Sequence, residues 1–278
     1  MTICVGIKVN DGVVFVADSA TTILSENGNG NPFGVRVYNH ADKVFNLYRG
    51  LPIVAMTCGL GNFGHESIAS ISKEIRCSLM AGGINREKYD MKEVANFAYS
   101  IFKQKYEPLS AELKASSSFE YIIAGFPSES NLAEVWKFVF SNGETPEPMN
   151  IVASKDCDIV WAGQPEACVR LVLGISSQTE YVLRNTGLTD EQTEQLMNTI
   201  VKASASPILT SSMPITDAIK LGEFLANTTA NYVKFLPGAD SVGGDLDIAT
   251  ITKYEGFKWI KRKHFYPIGL NGESDHVR

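Results

Sequence analysis

The sequence predicts an α+β protein in which antiparallel strand pairs form two packed sheets covered by layers of helices. Three observations predict it. Residues 3–9 alternate strictly and run into a turn, the stretches 68–79 and 91–106 carry apolar residues at helical spacing, and the elements come in blocks rather than in βαβ alternation.

Taken in order, Ile3, Val5, Ile7 and Val9 share one face of a first strand, with Thr2, Cys4, Gly6 and Lys8 on the other. Asn10-Asp11-Gly12 signals a turn and Val13 to Ala17 a returning strand, so a hairpin is expected at the start. It places Thr2 near the end of the second strand, next to Asp18. Residues 23–41, rich in Gly and Asn, read mostly as a loop. Lys43 to Leu47 and Pro52 to Thr57 read as a second strand pair around Tyr48-Arg49-Gly50-Leu51.

Ile68, Ile71, Ile75 and Leu79 recur at spacings of three and four, which predicts a helix. A second helix is expected over Met91 to Tyr106, burying Val94, Phe97, Ile101 and Phe102. Strands return at Phe119 to Ala124, Glu134 to Phe140 and Ile159 to Ala162. Helices at Glu166 to Leu173, Glu191 to Lys202 and Ile215 to Phe235 precede two closing strands, Leu246 to Thr252 and Phe257 to Ile260. No repeat and no linker interrupts the order, so residues 1–278 read as one domain, with flexible segments at 23–41 and in a tail at 265–278.

Composition narrows the function. With 44% hydrophobic and 20% charged residues the chain can build an ordinary core and is not disordered. A net charge of −6 without a long basic run argues against nucleic acid as a partner. No apolar run approaches the ~20 residues that span a bilayer, so no membrane partner is expected. The start carries no targeting pattern, and five cysteines without a CxxC pair suggest a reducing, cytoplasmic setting with neither disulfides nor a zinc site. The four histidines lack metal-ligand spacing, and no cofactor is expected.

A threonine hydroxyl is a poor nucleophile unless a base takes its proton, and an α-amine with a pKa of ~7.7–8.0 can serve when threonine is the first residue. Met1-Thr2 meets that condition once Met1 is removed, the usual fate of an initiator methionine before so small a residue. Asp18 closes the second strand, Lys43 begins the third and Gly59 closes the fourth, just before a helix. A cation beside the amine keeps it unprotonated, a carboxylate holds that cation, and a glycine N–H can face an oxyanion.

Thr2-Ile3-Cys4-Val5-Gly6-Ile7, Asp11-Gly12-Val13-Val14 and Ala17-Asp18-Ser19 resemble the opening of proteasome β subunits. Asp42-Lys43-Val44-Phe45 resembles their lysine strand, Met56-Thr57-Cys58-Gly59 their oxyanion glycine, and Asp240-Ser241-Val242-Gly243-Gly244-Asp245 their segment between a long helix and the last strands. A start without a propeptide is similar to the bacterial Anbu (ancestral β subunit) branch. The resemblance implies a four-layer αββα N-terminal-nucleophile fold, threonine peptidase chemistry on peptides or unfolded protein, and assembly into a homo-oligomeric ring or a related oligomer. It puts the nucleophile at Thr2, the acid at Asp18, the lysine at Lys43 and the oxyanion donor at Gly59, with Asp240 and Ser241 as supporting groups. Pocket walls are expected near Thr22, Phe45, Thr57 and Gly61. Two departures stand out: Ala162-Gly163 replaces a Gly-Ser-Gly, and Asp240 and Ser241 are adjacent where the family spaces them three apart.

Other readings compete. Gly59-x-Gly61-x-x-Gly64 spells a dinucleotide fingerprint, but a helix rather than a strand is expected after the next helix. Lys43 and Asp18 can be a plain ion pair and Cys4 a small core residue. On the same fold, an amidase for small substrates or an inactive structural subunit is the alternative to a peptidase.

Overall fold

The strict alternation of residues 3–9 becomes strand β1 (Ile3–Val9) in the computed structural model, which describes residues 2–26, 32–237 and 242–263. It turns into β2 (Gly12–Ala17), with Cys4 opposite Ala17 and Val9 opposite Gly12, as the turn signal predicts. Next come β3 (Thr21–Glu26) and β4 (Pro32–Tyr38), paired from Thr21–Tyr38 to Ser25–Gly34. The loop expected over 23–41 is therefore largely a hairpin. Its arms, Thr21-Thr22-Ile23 and Val35-Arg36-Val37-Tyr38, are mostly β-branched or aromatic, while much of the Gly- and Asn-rich part lies between them at 27–31, outside the described residues.

β5 (Val44–Asn46) and β6 (Ile53–Gly59) form the second expected pair. The short strands β7 (Asn62–Phe63) and β8 (Glu66–Ser67) make a tight turn into α1 (Ile68–Ser78), which Ser67 caps by accepting from the Ser70 N–H. After α1 comes α2 (Met91–Tyr106), capped by Asp90, then α3 (Ala111–Ser116). Helix therefore follows helix where a dinucleotide fold needs a strand, which excludes that reading of Gly59, Gly61 and Gly64.

β9 (Ser118–Gly125), β10 (Glu134–Ser141), β11 (Met149–Val152) and β12 (Asp158–Gly163) follow. β11 was not legible because its Met149 and Asn150 are exposed and break the alternation. Helices α4 (Glu166–Cys168, continued by a wider turn to Leu173), α5 (Thr179–Arg184), α6 (Asp190–Ser204) and α7 (Ile215–Lys234) lead to β13 (Asp247–Thr252) and β14 (Gly256–Lys261). The expected tail at 265–278 lies outside the described residues.

Two five-stranded antiparallel sheets result, ordered β12-β1-β2-β13-β14 and β11-β10-β9-β6-β5. Period-two alternation sorts their side chains. Cys4, Val13 and Phe15 of the first sheet cluster with Val54, Met56 and Ile122 of the second, so apolar faces of the two sheets meet. Ile3, Val5, Ile7, Val14 and Val16 turn the other way and pack on Ala218, Leu225 and Ala226 of α7. Phe119, Tyr121, Phe138 and Phe140 of the second sheet pack on Ile71 and Ile75 of α1 and on Val94, Phe102 and Tyr106 of α2. Most rings there meet at tilted and edge-on angles, such as Phe63 against Phe119 at 4.9 Å and 71°. Phe97 and Ile101, expected in the core, are only half-buried at its margin.

Candidate active site

Antiparallel pairing gathers the sequence-predicted residues at one end of the two sheets. β1 begins there, β2 and β12 end there, β5 begins there and β6 ends there. Thr2 shares the inward face of Cys4 and keeps 6% of its surface exposed. Its carbonyl accepts from the Gln164 N–H at 2.7 Å.

Asp18 follows β2 and is fully buried. One oxygen accepts from the Ile3 N–H (3.1 Å) and the Lys43 ammonium (2.6 Å), the other from the N–H groups of Ala20 (3.2 Å) and Gly243 (3.0 Å). Four donors make this buried carboxylate affordable as an anion. Lys43 sits one residue ahead of β5 rather than inside it, and its ammonium also donates to Thr2 Oγ1 at 2.7 Å. A single buried cation thus bridges an anion and a hydroxyl. In that position it lowers the cost of an alkoxide on Thr2 and disfavours a second positive charge nearby.

Gly59 has φ +97° and is exposed; a Cβ there would lie 2.1 Å from the Ser118 carbonyl oxygen, so only glycine fits. Nine positions separate it from the start of α1, contrary to the expectation that it immediately precedes a helix, so no helix terminus aids its N–H. Gly163 has φ +95° and a Cβ there would meet the Thr2 carbonyl oxygen at 1.9 Å. It is what lets β12 come up against Thr2. Gly163 stood in the sequence at the family's Gly-Ser-Gly position, but its role needed the neighbouring strand.

The thiols nearby are not rivals to Thr2. Burial raises Cys4 well above the usual thiol range, and its Sγ donates to the Thr57 carbonyl at 3.2 Å. Burial, with Glu120 beside it, pushes Cys58 up to about 11, so both are protonated at neutral pH. Among the described residues no three His, Cys, Asp or Glu side chains gather as a metal set, and no helix is long and apolar enough to cross a membrane.

No family model and no curated protein matches the chain. Solved structures do. Anbu (ancestral beta-subunit) from Yersinia bercovieri superposes with a TM-score of 0.53 over 94% of this chain and 88% of that one, at 14% identity. A Gly-1 mutant of Anbu from Hyphomicrobium sp. strain MC1 gives 0.53 over 95% and 86%, at 13% identity. This is the Anbu fold.

Within the Anbu fold the remaining expected residues divide. Asp240 and Ser241 lie outside the described residues, but Gly243 of the same segment reaches Asp18 and accepts from the Ser19 N–H at 3.1 Å. Ala162 is buried between the sheets opposite Cys4 and offers the site no hydroxyl. Phe45 is not an open wall: it is 6% exposed and stacks on Tyr121 in the helix-side core, because alternation along β5 sends it away from the other sheet. Thr57 is 7% exposed and its N–H donates to the Lys43 carbonyl at 2.9 Å, so it holds the lysine's backbone rather than lining a pocket. Gly61 is exposed beside Thr21, and Thr22 is half-buried in β3, so these two remain at the open side.

Proposed function

We propose that the chain is a threonine-type peptidase, built as a four-layer αββα N-terminal-nucleophile hydrolase, in which Thr2 attacks the scissile bond after Met1 is removed. The observation that carries this reading is the buried Lys43 ammonium, 2.7 Å from Thr2 Oγ1 and 2.6 Å from Asp18. A lysine that served only as an ion-pair partner would have no need to end on a threonine hydroxyl at the second position.

The freed Thr2 amine takes the Thr2 hydroxyl proton, directly or through water, while Lys43 donates to the oxygen as charge builds on it. The oxygen attacks the amide carbonyl and the Gly59 N–H receives the oxyanion. The amine returns the proton to the leaving nitrogen, the C–N bond breaks and an ester to Thr2 remains. Water, deprotonated by the same amine, then cleaves that ester and restores the hydroxyl. Peptides or unfolded protein are the substrates, in a cytoplasmic homo-oligomeric ring or related assembly. A small-amide substrate would leave this chemistry intact and change only the walls around Thr22 and Gly61.

The absence of a hydroxyl at Ala162 favours a second reading, an inactive structural subunit. Intact mass after incubation with a peptide epoxyketone separates the two, because that reagent closes its ring only on a hydroxyl and a free α-amine of one residue. Loss of Met1 with one inhibitor added is the expected result, and Thr2→Ala abolishes the addition. A mass lacking Met1 but carrying no inhibitor supports the structural subunit and overturns the peptidase.

A further inference from the structure

A second buried ion pair stands behind Lys43. The side chains of Lys263 and Asp247 each keep 3% of their surface, and the Asp247 carboxylate accepts from both the Lys263 ammonium and the Lys263 N–H, the latter at 3.1 Å. The ammonium also donates to the Ala41 carbonyl at 2.8 Å and lies 3.6 Å from Asp42. Ala41 and Asp42 are the two residues before Lys43.

The pair closes a circuit around the site. Asp247 begins β13 opposite Ala17, the residue before Asp18. The Ala41 N–H donates to the Ser19 carbonyl at 2.9 Å, and the Ser19 hydroxyl donates to the Asp245 carbonyl at 2.5 Å. Ala41 is thus gripped on one side by the residue after Asp18 and on the other by Lys263. A buried ion pair is a costly way to obtain stability alone, since apolar side chains of similar size do as well, and it is best explained by the one geometry it selects.

We propose that Lys263, held by Asp247, is a positioning residue that sets where segment 41–43 lies and so keeps the Lys43 ammonium on Thr2. It touches neither Thr2 nor substrate and acts only through Ala41 and Asp42. Its kinetic consequence rests on the Thr2 mechanism above; its geometric consequence does not.

The test is the Lys263→Met/Asp247→Leu double variant, which removes both charges together and so avoids a lone buried ion. A crystal structure of it is expected to show Lys43 Nζ moved beyond hydrogen-bond distance of Thr2 Oγ1. Addition of the epoxyketone is expected to slow by about 100-fold, as displacement of a reacting group by roughly 1 Å does. With the cation withdrawn the Thr2 amine regains protons more readily, so the rising limb of the pH profile of adduct formation moves to higher pH. Inhibitor affinity before the covalent step is unchanged. A merely structural pair would lower the melting temperature and leave the distance and the pH profile of the folded protein alone. Lys43 still on Thr2 with a wild-type rate of epoxyketone addition overturns the proposal. If wild type itself takes up no inhibitor, the peptidase reading fails and the Lys43–Thr2 distance still decides the positioning. Should the double variant not fold, Lys263→Gln/Asp247→Asn, which also removes both charges, is read the same way, and unfolding of both assigns the pair to stability and overturns positioning.

Discussion

The two ends of β1 each hold a buried lysine, and the contrast between them is why a chemical role is proposed for only one. At one end Lys43, 6% exposed, divides its donors between Asp18 and the Thr2 hydroxyl. At the other end Lys8, 3% exposed, donates to the carbonyls of Ala153 (2.9 Å), Ser154 (3.0 Å) and Asp156. Lys8 ties a turn between β11 and β12 to the first strand, and burial lowers its pKa from the ordinary lysine range while Asp156 works the other way. Backbone carbonyls have no reaction to offer, so Lys8 is a clamp. Burial of a lysine says little about function until its acceptors are known.

Lys43→Ala tests that contrast with the largest effect. Addition of the epoxyketone to Thr2 is expected to slow by about 10³-fold, as when a positioned donor is removed from a developing oxyanion. Asp18 keeps its three backbone donors, so the variant is expected to fold with a lower melting temperature. A wild-type rate of addition would make Lys43 a clamp like Lys8.

Lys8→Met is the mirror experiment. It leaves three carbonyls without their donor and is expected to cost about 2–3 kcal/mol of stability in denaturant unfolding, with epoxyketone addition to the folded protein unchanged. A loss of that addition at constant fold would mean that the far end of β1 reaches the site.

The thiols sharpen the site end further. With Cys58 pushed up to about 11, iodoacetamide at pH 7 is expected to label it slowly and leave epoxyketone addition intact, whereas labelling speeds up toward pH 10. Rapid labelling at pH 7 with loss of that addition would place a thiolate in the chemistry.

The smallest effect belongs to a carboxylate held only by local partners. Burial raises the pKa of Glu166, but hydrogen bonds from Ser177, Ser176 and Arg170 outweigh it and hold the group at about 2. A depressed carboxylate stabilises the fold above its unfolded pKa near 4.5, and the contribution is lost as pH falls through about 2. Glu166→Gln is expected to cost about 1 kcal/mol at pH 7, allowing for solvent screening, with the difference from wild type vanishing toward pH 2. A pH-independent difference would show that packing, not charge, is at work there.

Much of this was legible because it is local. Ile68, Ile71, Ile75 and Leu79 bury together as their spacing demands, and the alternation of residues 3–9 assigns Ile3 to the helix side and Cys4 to the other sheet. The hairpin at 21–38 was obscured because Gly and Asn between its arms dominate the composition of that stretch. Phe45 and Thr57 were misjudged as walls because period-two alternation names two faces without saying which one is open.

By itself, the sequence determined most of the element types and the facing of β1, since periodicity and turn chemistry act over a few residues, and its resemblance to proteasome β subunits named the candidate set Thr2, Asp18, Lys43 and Gly59. Tertiary structure alone decided that Lys43 bridges Asp18 and Thr2, that Gly243 supports Asp18 across 225 positions, and that Lys8 grips carbonyls 145 to 148 positions away. The physical reason is that a buried charge is defined by its acceptors. Sheet packing supplies those from distant parts of the chain, where no local pattern records them.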